Sequence, residues 1–118
     1  MLKTVLAITL LATSISTLAA NSPITVQSRG IYIGNNANLP AWQLTLTSVD
    51  NDITVQSFTL NRGNCVISYP GRGKGVNKRL QYGQSLSFST PSNSGFTQCR
   101  PLELTVQTNK GAFTFNWQ

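Results

Sequence analysis

Apolar and polar residues alternate along most of the chain, the period of a strand with one face in a core and the other in water. Trp42, Leu44 and Leu46 fall on one side of such a strand, and Gln43, Thr45 and Thr47 on the other. The same holds for Leu102, Leu104 and Val106 against Glu103 and Thr105, and for Phe113, Phe115 and Trp117 against Thr114 and Asn116. Shorter stretches predict further strands over 24–28, 31–33, 53–60, 65–69 and 80–90. Within 53–60 the pattern changes phase: Ile53 and Val55 share one parity, Phe58 and Leu60 the other. One extra residue near Gln56 and Ser57 restores a single buried face, so a β-bulge is predicted there.

Short runs rich in Asn, Asp and Gly separate these segments, at Asp50-Asn51-Asp52, Asn61-Arg62-Gly63-Asn64 and Asn109-Lys110-Gly111. Such residues tolerate the positive φ of tight turns. On this basis 41–60 and 102–117 are each expected to be an antiparallel pair. No stretch of about ten residues after residue 20 keeps a helical period free of Gly or Pro. The expected architecture is therefore all-β, with seven or eight short strands in a small antiparallel sandwich of immunoglobulin-like appearance or in a small barrel. The words Ile24-Thr25-Val26-Gln27-Ser28 and Ile53-Thr54-Val55-Gln56-Ser57 are identical, but their flanks diverge, and we read the match as coincidence in a strand-rich composition.

The first twenty residues break the pattern. Lys3 precedes an apolar run from Thr4 to Leu11, then small and hydroxylic residues ending in Thr17-Leu18-Ala19-Ala20. This is the order of a secretory signal, with cleavage after Ala19 or Ala20. The apolar run falls short of the roughly 20 residues that cross a bilayer. Residues 21–118 then form one β-domain, with no membrane span once the signal is removed, located in the periplasm or secreted. Export also settles the reading of Cys65 and Cys99, the only cysteines: in an oxidising compartment they pair. A bridge closing that loop stabilises by about 3.8 kcal/mol on the chain-entropy model.

Charge adds one candidate site. The chain carries 9 Lys and Arg against 3 Asp and Glu, a formal charge of +6 that becomes +5 without Lys3. Arg72, Lys74, Lys78 and Arg79 crowd into the irregular, glycine-rich stretch that begins at Pro70, with Tyr69 and Tyr82 on its flanks. Cations beside exposed backbone N–H groups suit phosphate or sulfate, so this loop is an expected anion contact. No Ser or Thr follows Gly73-Lys74 as a phosphate-cradling loop requires.

Catalytic equipment is sparse. The chain has no His and only Asp50, Asp52 and Glu103 as acids. The commonest general base is missing, and two opposed carboxylates or a hard-cation site would have to be drawn from three residues. Two of the acids sit in a predicted turn, where Asp is favoured for backbone reasons. A non-enzymatic domain without metal or cofactor is expected. Its function is then contact with another macromolecule, as a protein-binding accessory of an envelope, surface or secretion assembly. The alternative is a cationic effector acting on an anionic polymer or lipid headgroup through residues 72–79. The aromatic strand at 113–117 is expected to close the core in preference to pairing with another sheet.

Overall fold

A computed structural model describes residues 22–36 and 38–117. Residues 1–20, read above as an export signal, lie outside the described residues. The described residues contain seven strands: β1 (Ile24–Tyr32), β2 (Pro40–Ser48), β3 (Ile53–Leu60), β4 (Lys78–Leu80), β5 (Ser85–Pro91), β6 (Glu103–Thr108) and β7 (Gly111–Asn116). They form two antiparallel sheets in the orders β1-β2-β5 and β4-β3-β6-β7. Two sheets that share no strand make a sandwich, which decides between the two architectures expected. In immunoglobulin lettering the order is A-B-E over C′-C-F-G.

The alternating residues meet between the sheets. Ile24, Val26, Leu44, Leu46 and Phe88 come from one side, and Ile53, Val55, Phe58, Leu60, Leu104, Val106 and Phe115 from the other. Phe58 and Phe88 stack across the interface with centroids 4.2 Å apart. Each such side chain contributes roughly 1.5–3 kcal/mol through burial. The predicted bulge is present: Val55 lies opposite Thr108 and Ser57 opposite Gln107, leaving Gln56 as the extra residue. Both parities of β3 are consequently buried, and the Gln56 carbonyl accepts the Val76 N–H at 2.8 Å.

Three expectations need correction. Residues 41–60 are not a hairpin, because β2 pairs with β1 and β5 while β3 belongs to the opposite sheet. Turn chemistry specifies a reversal but not whether the next strand pairs or crosses, and both flanks of β2 are already occupied. Segment 65–69 is not a strand. It adds one antiparallel bridge from Ser68 to Ser89 and buries Ile67. Leu102 has core parity yet is 57% exposed, because it precedes the first ladder pair of β6 and lies past the end of the sandwich. Segments 24–28 and 31–33 join as β1 with Ile33 just beyond it, and 80–90 divides at Gln81–Gln84 into the last residue of β4 and most of β5. The hairpin at 102–117 is as expected.

The registers define two ends. At one, short turns at 49–52, 81–84 and 109–110 connect the strands. At the other stand the β1–β2 tip and the longer connections 61–77 and 92–102. We refer to these as the turn end and the loop end.

Candidate functional site

At the loop end Cys65 and Cys99 form the expected disulfide, with Cα atoms 5.8 Å apart. Unlike the inter-sheet bridge of antibody domains, it does not cross the core. It joins the segment leaving β3 to the segment entering β6. Asn61 reinforces the junction. Its Oδ1 accepts the N–H groups of Leu102 (2.9 Å) and Glu103 (3.0 Å), and its Nδ2 donates to the Arg100 carbonyl (2.9 Å). Beside it, the Arg62 guanidinium forks onto the Glu103 carboxylate at 3.3 Å.

The backbone here is held in unusual conformations. Asn61, Arg62, Phe96 and Cys99 all have φ between 49° and 58°, the left-handed region that non-glycine residues avoid. Phe96 lies across Gly30, where an added Cβ would meet the ring at 2.9 Å. It packs edge-on to Tyr32 and Trp42, and its carbonyl accepts the Trp42 indole N–H at 3.1 Å. A cleft of about 770 Å³ results, lined by both cysteines, Asn61, Arg62, Arg100, Leu102 and Glu103 among others.

Around this end exposed apolar side chains interrupt a polar surface. Of seven exposed large apolar side chains among the described residues, Tyr32, Ile33, Leu39, Val66 and Leu102 lie here, and Val49 and Tyr82 lie at the turn end. Sequence reasoning missed this gathering, since Leu102 reads as core and the β1–β2 tip carries no recognisable motif. It also took Asn61 for a turn residue, although the side chain acts on positions 39 to 42 residues away.

The four cations of the predicted anion contact are not equivalent. Arg72 and Lys74 line one depression with Phe58 and Leu60. Lys78 and Arg79 stand on β4 opposite Val55 and Thr54, several residues back along β3. The two pairs therefore stand against different stretches of β3. Arg79 is already engaged: its guanidinium pairs with Asp52, with Nε at 2.8 Å from Oδ1. Gly73 does not offer open backbone, for it is buried and an added Cβ would lie 2.5 Å from the Phe58 carbonyl oxygen. Tyr69 is partly buried edge-on against Phe58, whereas Tyr82 is exposed.

All three acids are matched to cations. Asp50 meets Lys110 at 2.8 Å, Asp52 meets Arg79, and Glu103 meets Arg62. The Lys110 ammonium, followed by the Asn51 N–H, holds the Asp50 carboxyl below its ordinary pKa. Phe115 on β7 is fully buried, and Phe113 and Trp117 are partly so. Among the described residues there is no cluster of three or more metal-ligating side chains, and no helix long and apolar enough to cross a membrane. The chain matches no protein-family model, no curated protein and no solved structure.

Proposed function

We propose that this protein is an exported, non-catalytic recognition domain that binds another protein through its loop end, as an accessory of an envelope, surface or secretion assembly. The observation that carries this reading is the gathering of five exposed apolar side chains around a backbone locked by Cys65–Cys99. Left-handed residues outside glycine cost of order 1 kcal/mol or more each, and they concentrate where a surface has work to do. A disulfide and the absence of a membrane-crossing helix among the described residues are compatible with a periplasmic or extracellular location. Cross-linking the tagged protein in its native envelope fraction tests the reading. A defined protein partner should be captured by the wild type and lost in Ile33→Ser combined with Leu102→Ser. Unchanged capture by that variant would refute a role for the loop end.

One observation favours a second reading, the cationic effector. Arg29, Arg72, Lys74, Lys78 and Arg100 have no carboxylate partner among the described residues. An anion site would then centre on Arg72, Lys74 and Lys78, with Arg79 free to join only by leaving Asp52. Salt-sensitive retention on heparin that disappears when Arg72, Lys74 and Lys78 become Ser would favour it over the first reading.

A further inference from the structure

Each sheet has two edges, and an unpaired edge is a template for another strand. Three of the four are short or met. β4 has three residues, β7 has six, and β5 is met by Ser68, whose N–H donates to the Ser89 carbonyl at 2.8 Å. β1 differs. It runs nine residues in unbroken register with β2, without Pro, without a bulge and without a charged residue facing the core. These are the devices by which sheet proteins ordinarily blunt an edge.

Hydrogen bonds at both ends of the ladder fix which backbone groups are bare. The Val49 N–H donates to the Pro23 carbonyl, and the Ile33 N–H to the Leu39 carbonyl, each at 2.9 Å. In an antiparallel pair the bonded positions alternate. Residues 25, 27, 29 and 31 therefore bond to β2, and Ile24, Val26, Ser28, Gly30 and Tyr32 direct N–H and C=O outward. Ile24 is already satisfied, since Ser22 Oγ both accepts its N–H (3.1 Å) and donates to its carbonyl (2.8 Å). From Val26 to Tyr32 an outward row about 20 Å long remains, with no described residue bonded to it.

The same stretch borders a groove of about 550 Å³ lined by Val26, Gln27, Ser28, Arg29, Gln43, Thr45 and Trp117. Arg29 is the single charge in it. Its Nε donates to Gln43 Oε1 at 3.0 Å, and its remaining N–H groups meet no carboxylate among the described residues. We infer that the β1 edge and this groove bind an extended acidic peptide segment of a partner protein, which adds as a fourth strand to the β1-β2-β5 sheet. Backbone pairing with Val26, Ser28 and Gly30 supplies the ladder, and alternate side chains supply the selection. Residues on the core-facing side of the added strand reach Trp117 and should be apolar. Those on the outer side stand beside Gln27 and Arg29, where a Glu or Asp completes a forked ion pair. The site adjoins the loop end at Gly30 and Tyr32 but is centred on Val26, Ser28 and Arg29, which the Ile33→Ser and Leu102→Ser substitutions leave in place, so either reading can fail without the other.

The test uses isotope-labelled protein with its disulfide intact and a blocked nonapeptide alternating Val and Thr with a central Glu. Bound peptide should slow amide exchange at Val26, Ser28 and Gly30 by about ten-fold or more, and replacing its Glu by Gln should weaken binding several-fold at low salt. Ser28→Pro should weaken binding by about ten-fold while leaving the thermal midpoint close to wild type, because that N–H faces away from β2. Equal binding by Ser28→Pro, or binding without protection of those three amides, would overturn the proposal. So would protection in the free protein that vanishes on dilution, which identifies a second copy as the occupant. Neutral oligosaccharides that shift the Trp117 indole resonance where the peptide does not would overturn it in favour of a saccharide groove.

Discussion

The two ends of the sandwich are closed by different physics. At the turn end every connection is short and is closed by hydrogen bonds and ion pairs without a covalent cross-link: Ser48 Oγ donates to the Asp50 carbonyl, Thr108 Oγ1 to the Gly111 carbonyl, and Asp50 and Asp52 each hold a cation. At the loop end two long connections carry little regular structure of their own, and a covalent bond holds them together. One end is built from residues that tolerate turns. The other places residues such as Phe96 and Cys99 in left-handed backbone and fixes them by cross-linking. The contrast separates a part of the molecule that only has to reverse the chain from a part that presents a surface.

The largest expected effect breaks that contrast directly. Replacing both Cys65 and Cys99 by Ala releases a loop with a sequence separation of 34, and should cost about 3.8 kcal/mol in urea unfolding. Against a total of roughly 5–15 kcal/mol, the variant should sit near the edge of folding. In hydrogen exchange the segments 61–69 and 92–102 should lose protection before the turn end does. Uniform loss at both ends would mean that the bridge acts on the whole sandwich and that the two ends are not held differently.

Gly73 gives the next effect, in the long connection that leads away from the loop end. At φ +86° its Cβ position falls 2.5 Å from the Phe58 carbonyl oxygen, so Gly73→Ala combines left-handed strain with a backbone clash. We expect about 3 kcal/mol of destabilisation. Gly75→Ala, at φ +60° with open space around it, should cost only about 1 kcal/mol. Similar values for the two would show that the connection moves freely to relieve the clash.

Asparagines clamp the β3–β6 ladder at both ends, with unequal consequences. Asn61 holds Leu102 and Glu103, while Asn109 accepts the Thr54 N–H at 2.9 Å and donates to the Asp52 carbonyl at 3.0 Å. Asn61 also adopts φ 49°, which Asn tolerates better than Ala. Asn61→Ala should therefore cost about 2 kcal/mol and Asn109→Ala about 1 kcal/mol. Equal losses in chemical denaturation would remove the special status of the loop end.

The same asymmetry decided what could be read from the chain. The core of β2, β3 and β7 was legible because a period of two residues needs only near neighbours. The bulge at Gln56 was legible for that reason too, through a change of parity. The turns around 50–52 and 109–111 were legible as reversals, because the preference of Asn, Asp and Gly for tight turns is local, although the partners of Asp50, Asp52 and Asn109 lie 27 to 60 residues away. The crossing of β2 to β3 was not legible, since it depends on β1 and β5 having filled both flanks of β2. Nor was the junction at Asn61, whose partners lie some 40 residues on, nor the exposure of Leu102, which depends on where the opposite sheet stops. In the basic stretch the sequence brought four cations together, but folding put Arg79 against Asp52 and buried Gly73.

The smallest effect belongs to the turn end and concerns pH. The Lys110 ammonium and the Asn51 N–H lower the Asp50 pKa in the folded protein relative to the unfolded chain. A carboxyl lowered in this way adds stability at all pH values above its unfolded pKa, and that contribution is lost as the pH falls through the folded value. Thermal unfolding followed from neutral pH down through the carboxylate range should show a decline that Asp50→Asn partly removes. Lys110→Gln should remove most but not all of that part, because the Asn51 N–H still lowers the Asp50 carboxyl. The groups are exposed, so moderate salt should shrink the difference. A decline identical in wild type and both variants would mean that this pair contributes nothing, and that the remaining hydrogen bonds and the Asp52–Arg79 pair close the turn end.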